Sequence, residues 1–269
     1  MEIIAGTTAT TMATQSITPK GLKFDPPFSL LHSQSYAPIR TSLQYSIISR
    51  KPRITTRSIA DDTTSILIQK KAADISTELK GTSVFLVGMN NAIKTHLGNF
   101  LADALRYYYF DSDSLVFEAA GGESAAKAFR ESDEKGYQQA ETEVLKQLSS
   151  MGRLVVCAGN GAVQSSANLA LLRHGISLWI DVPPGMVARM DHSGFPESEV
   201  LPQLFALYKE MRDGYATADA TVSLQKVASQ LGYDDLDAVT TEDMTLEVLK
   251  EIEKLTRKKK MMEEAARPF

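Results

Sequence analysis

Short apolar runs recur along this chain between amphipathic stretches, and three of the five run into a Gly or Pro. This constrains the fold more than any other feature. Thr82-Ser83-Val84-Phe85-Leu86-Val87 stops at Gly88, Leu154-Val155-Val156-Cys157 runs into Gly159, and Ser177-Leu178-Trp179-Ile180-Asp181-Val182 meets Pro183-Pro184. Tyr107 to Phe110 and Thr221-Val222-Ser223-Leu224 complete the set. Runs of this length that are apolar on both faces read as strands buried on both sides. Helical periodicity predicts helices over residues 94–105 and, approximately, 114–120, 124–131, 137–149, 166–173 and 200–212. From Ser65 the pattern Ile66, Leu67, Ile68, Ala72, Ala73, Ile75 and Leu79 predicts a short helix before the first strand. A last helix begins at Thr241, where Thr240 and Asp243 have capping-box spacing and Leu246, Leu249, Ile252 and Leu255 share a face. Strands alternating with helices predict an α/β fold with a parallel sheet covered on both sides and ligands at the carboxyl ends of the strands. Residues 88–95, 111–113 and 159–161 each follow a strand, so all three are expected on one rim.

Composition narrows the setting. Of 269 residues, 43% are hydrophobic and 23% charged, enough for a normal core. A net charge of -4 gives no electrostatic reason to expect nucleic acid as a partner. Cys157 is the single cysteine, so no internal disulfide can form. No apolar run is long enough to span a bilayer. Residues 1–60 differ from the rest: Ser and Thr are frequent, Glu2 and Asp25 are the two acids, and basic residues such as Lys20, Arg40 and Arg57 are scattered among breaking prolines. That composition fits an organellar transit peptide, with the Ser/Thr excess favouring the plastid. The expected organisation is a transit peptide over 1–60, a leading helix or linker over 61–80, the folded domain over 81–255, and a charged helix end over 256–269.

Gly88-Met89-Asn90-Asn91-Ala92-Ile93-Lys94-Thr95 matches G-x-x-x-x-G-K-[ST] except at the second glycine. In a working phosphate loop, backbone N–H groups wrap the phosphates, the lysine meets the outer phosphates, and the hydroxyl holds Mg²⁺. The second glycine lets the backbone touch phosphate. Ile93 puts a β-branched side chain there, and if that position requires a glycine-type backbone, strain of about 1–3 kcal/mol follows.

Over residues 73–255 the chain resembles the shikimate kinases, especially those of plant plastids. The matching stretches are Phe85-Leu86-Val87-Gly88, Phe110-Asp111-Ser112-Asp113, Leu154-Val155-Val156 with Gly159-Asn160-Gly161-Ala162-Val163, and Trp179-Ile180-Asp181-Val182-Pro183. The resemblance implies a P-loop, nucleoside-monophosphate-kinase-like three-layer α/β/α fold of the shikimate kinase type. It also implies that Asp111 serves Mg²⁺ and Asp113 the substrate hydroxyls. The family's G-F-R-x-x-E, whose Arg grips the substrate carboxylate, reads Gly136-Tyr137-Gln138-Gln139-Ala140-Glu141, with Gln138 at the arginine position. Gln cannot supply a charged bidentate fork. The family's T-G-G-G reads Ala158-Gly159-Asn160-Gly161, and a second carboxylate-binding arginine aligns with Met211 beside Arg212, which a one-residue shift would bring into play. The lid stretch from Asp191 to Glu199 carries no Arg or Lys to stabilise transferring charge.

Loss of one such arginine contact weakens binding roughly tenfold to a hundredfold. These departures resemble a plant branch of shikimate kinase-like proteins regarded as non-catalytic. The expectation is therefore a catalytically inactive chloroplast protein, stromal, requiring no cofactor, with a non-enzymatic role such as supporting chloroplast biogenesis through a plastid protein partner. Three further readings stand beside it: residual ATP and Mg²⁺ binding through Lys94, Thr95 and Asp111; a kinase of altered, less acidic substrate; and a scaffold that self-assembles through the last helix.

Overall fold

A computed structural model describes residues 59–89, 91–190 and 197–266. The expected targeting segment, apart from its last two residues, and residues 191–196 of the lid stretch lie outside them. Five strands form one all-parallel sheet: β1 (Val84–Val87), β2 (Tyr108–Asp111), β3 (Leu154–Cys157), β4 (Ile176–Asp181) and β5 (Ala220–Ser223), in the order β2-β3-β1-β4-β5. Register pairs Phe85 with Val156 on one side and with Ser177 on the other. Every residue of β1 and β3 is buried, as their unbroken apolar composition requires of central strands.

The connections are helical and make the expected three-layer α/β/α architecture. They are α1 (Ile59–Leu79), α2 (Ala92–Leu105), α3 (Ser112–Ala120), α4 (Glu123–Ser132), α5 (Glu134–Ser149), α6 (Ser166–Leu172), α7 (Pro184–Met190), α8 (Glu197–Tyr215), α9 (Leu224–Leu231) and α10 (Thr241–Ala265). A 3₁₀ turn, Asn160–Val163, follows β3. Two helices escape the sequence reading. Pro184 does not stop the chain. It opens α7 from the first helical position, where its missing N–H is harmless and its fixed φ suits the helix. Leu224, read as the end of a strand, begins α9 and buries Val227 and Ala228 one turn later.

Helices α1, α2 and α10 pack against one another. Ile68, Ala72, Ile75 and Leu79 of α1 are buried, as are Met244, Val248, Leu249 and Ile252 of α10. Lys71 pairs with Glu253, and Thr256 donates to Glu78 at 3.1 Å. The predicted capping box forms, with Thr240 Oγ1 accepting from Asp243 N at 3.1 Å and Asp243 Oδ2 accepting from Thr240 N at 3.0 Å. The apolar face read on the last helix is thus covered from within the domain, Leu249 and Ile252 fully and Leu246 and Leu255 in part. The helix continues unbroken past residue 255, the expected domain limit. No helix among the described residues is long and apolar enough to cross a membrane.

Candidate functional site

The three segments predicted to meet at one rim do so. Gly88 closes β1 with φ 134°, and a Cβ there would stand 2.4 Å from the Ile180 carbonyl oxygen, so both conformation and space demand glycine. The helix that carries Lys94 and Thr95 begins at Ala92. Asn91 caps α2, its Oδ1 accepting from Lys94 N at 2.9 Å while its Nδ2 donates to Met89 O at 2.7 Å. Ile93 therefore lies in the first turn of a helix, packed against the core edge. The strain considered for this residue is absent. An α conformation is open to isoleucine, and what remains is a branched side chain at a position that the phosphate motif reserves for bare backbone.

Lys94 has only 1% of its surface exposed. Its Nζ donates to Gly88 O and to Ala158 O, each at 2.8 Å, bridging the ends of β1 and β3. Burial pushes its pKa down, against the opposing pull of Asp113 and Asp111. Thr95 Oγ1 donates to Asn91 O at 3.3 Å, and Asp111 Oδ1 caps α3 by accepting from Ser114 N at 2.9 Å. Each residue that would address nucleotide or metal is thus engaged with the protein's own backbone.

Asp113 and Glu141 press against the turn after β3. A Cβ on Gly159 would fall 1.7 Å from Asp113 Oδ1, and one on Gly161 would fall 2.4 Å from both oxygens of Glu141. At both positions a larger residue would have to displace a carboxylate that occupies the space. Burial, reinforced by the charge of Asp113 and partly offset by Arg130, pushes the Glu141 carboxyl up to about 7. Gln138 is exposed on α5, while Tyr137 and Ala140 face inward. A cation that acts on Glu141 comes from α4: the Arg130 guanidinium carbon lies 5.7 Å from the centre of the Tyr137 ring. Sequence reading passed over Arg130 because its link to Glu141 crosses from one helix to the next.

On α8, Met211 is buried one turn before the fully buried Tyr215. Arg212 is exposed, and its charge acts on Tyr208, whose hydroxyl donates to Asp181 at 3.0 Å. The one-residue shift that would bring Arg212 into the pocket does not occur, because Tyr215 fixes the inward face of the helix. Asn160, at a family glycine position, accepts a hydrogen bond from the Tyr215 hydroxyl at 3.0 Å. Trp179, core as expected, packs on Tyr215 with ring centres 5.9 Å apart. Cys157 is buried, donates to Lys94 O at 3.4 Å and has its pKa raised by burial, so it has no nucleophilic character.

A parallel sheet whose first strand leads through a glycine to a helix carrying Lys-Thr, with acids after the second strand, defines a P-loop kinase scaffold. A family model described as shikimate kinase matches residues 90–253. An Arabidopsis thaliana protein named "Probable inactive shikimate kinase like 1, chloroplastic" is 58% identical over 86% of this chain and 88% of its own length. Rice (Oryza sativa subsp. japonica) shikimate kinase 3, chloroplastic, is 34% identical over 80% of this chain and 79% of its own. The chain belongs to the shikimate kinase family. Crystal structures of shikimate kinases from Bacteroides thetaiotaomicron and Acinetobacter baumannii superpose with TM-scores of 0.54 and 0.53. They cover 64% and 66% of this chain and 98% and 96% of theirs, and at 21% and 22% identity they establish the shared fold.

Proposed function

We propose that this protein is a catalytically inactive member of the shikimate kinase family that works in the plastid stroma as a non-enzymatic factor, in support of chloroplast biogenesis. The observation that carries the reading is Lys94, whose ammonium is buried between two backbone carbonyls. With Ile93 in the helix, Asp111 capping α3, and Gln138 and Met211 in place of cations, the rim offers neither a phosphate cradle nor a carboxylate clamp. These residues do not fit ATP·Mg²⁺ in a reactive arrangement, and no phosphoryl-transfer step is derived for them. The plastid assignment rests on the leader composition and on relatives whose names include "chloroplastic".

The deciding experiment incubates the purified protein with ATP, Mg²⁺ and shikimate and follows ADP release, alongside calorimetric titration of ATP into wild type and Ile93→Gly. The expected result is no shikimate-dependent turnover in either protein. Tighter ATP binding by the glycine variant would assign the blockage to the isoleucine side chain. Turnover by wild type would overturn the reading.

A further inference from the structure

The opposite, amino-terminal edge of the sheet carries features that the rim does not explain. A pocket of about 900 Å³ opens there between α1, α2 and the turns entering β1, β2 and β3. Lys80, Arg106 and Arg153 line it, one from each turn, and they are the described non-glycine residues with positive φ, at 50°, 57° and 60°. This backbone is uncommon for such residues. At Lys80 and Arg106 the helix ends of α1 and α2 account for both the turn and the charge. At Arg153 the backbone bonds of the turn, Arg153 N to Gly81 O at 2.8 Å and Tyr108 N to Arg153 O at 2.9 Å, account for the conformation but not for the charge. Its side chain lies across Gly81, with Cγ 3.5 Å and Nε 3.8 Å from where a Cβ would stand. Beside it the Tyr107 hydroxyl is buried and makes no hydrogen bond of normal geometry, although the Gly81 backbone is close. Among the described residues none of the three cations enters a salt bridge. Asp103 is the one carboxylate in the lining, which leaves a surplus of about two positive charges. A phosphate monoester carries about that much negative charge at neutral pH. The remaining wall includes Ile68, Phe100, Ala104 and Leu105, and the volume far exceeds a bare phosphate ion.

We infer that this pocket binds a small molecule with a phosphate monoester on an apolar body, the phosphate held by Lys80, Arg106 and Arg153, and the body resting on Phe100 and Leu105. Guanidinium forks supply the bidentate geometry that phosphate oxygens favour. The site is remote from the rim and independent of whether the rim is active.

Calorimetric titration of the full chain with phenyl phosphate tests the assignment. Inorganic phosphate serves as the arm lacking the body and benzoate as the arm lacking the dianion. Phenyl phosphate is expected to bind more tightly than either. Arg153→Gln should weaken it about tenfold or more, and Lys80→Gln, on an exposed turn, should weaken it several-fold without altering the circular dichroism spectrum. Lys226→Gln, a surface lysine on α9, should leave it unchanged. The inference falls if phenyl phosphate does not bind, if it binds no better than inorganic phosphate, if Lys80→Gln and Arg153→Gln leave its affinity intact, or if Lys226→Gln weakens it equally.

Discussion

Glu141 provides the sharpest test of the rim geometry. Its carboxyl is packed against Gly161, faces Asp113, and has lost the arginine expected one turn earlier, at position 138. Buried in this way, it holds its proton up to about 7 instead of the ordinary 4.5. The unfolded chain releases that proton near the ordinary value, so between roughly pH 4.5 and 7 the folded state binds more protons than the unfolded one. Stability therefore falls as pH rises through that window, and the loss is complete above it. A shift of this size corresponds to at most about 3 kcal/mol, and to about half of that once the carboxyl's partial solvent contact is allowed for. Glu141→Gln keeps the volume and removes the charge. It should leave stability unchanged at about pH 3, where the carboxyl is protonated in both folded and unfolded chains, and raise it by about 1.5 kcal/mol at pH 8. For a domain near 200 residues that is a rise of about 3–6 °C in Tm. Paired thermal melts of wild type and variant across this pH range isolate the contribution, because other titrating groups cancel in the difference. A variant that is destabilised at pH 8, or whose difference from wild type does not vary with pH, would refute the reasoning.

Three further outcomes are expected. Lys94→Met leaves the Gly88 and Ala158 carbonyls without their charged donor and should cost about 3 kcal/mol in urea unfolding; a loss below about 1 kcal/mol would mean that the ammonium is not part of the scaffold. Asn160→Ala and Tyr215→Phe each break the bond between the 3₁₀ turn and α8, and a double-mutant cycle in urea should return a coupling of about 1 kcal/mol, whereas additivity would mean the bond contributes nothing. Gln138→Arg restores a cation three residues before Glu141 and should pull the carboxyl back down, so that the pH-dependent fall in stability moves to lower pH; an unmoved profile would place the new guanidinium in solvent.

Much of the fold was legible because its signals are local. Unbroken apolar runs marked the central strands, and the Thr240–Asp243 spacing marked the start of α10. The rim was legible too, since parallel topology alone brings residues 88, 111 and 159 to the same edge. What escaped depended on contacts between distant segments. The single deviation at Ile93 read as strain in a loop, but Asn91 turns the same residues into a capped helix start. The bond from Lys94 to the Ala158 carbonyl was not legible because its partner lies 64 residues away. Pro184 read as a terminator since a proline pair looks the same whether it ends a strand or opens a helix. Arg130 and the Tyr107–Arg153 neighbourhood have no sequence signature, because each joins separate elements.

The first helix sets a boundary on maturation. Ile68, Ala72, Ile75 and Leu79 are interior residues of the domain, contributed by a segment that directly follows the leader-like stretch. Any shortening of the amino terminus must therefore halt before Ile68, since each further turn removed would open a hole beside α2 and α10.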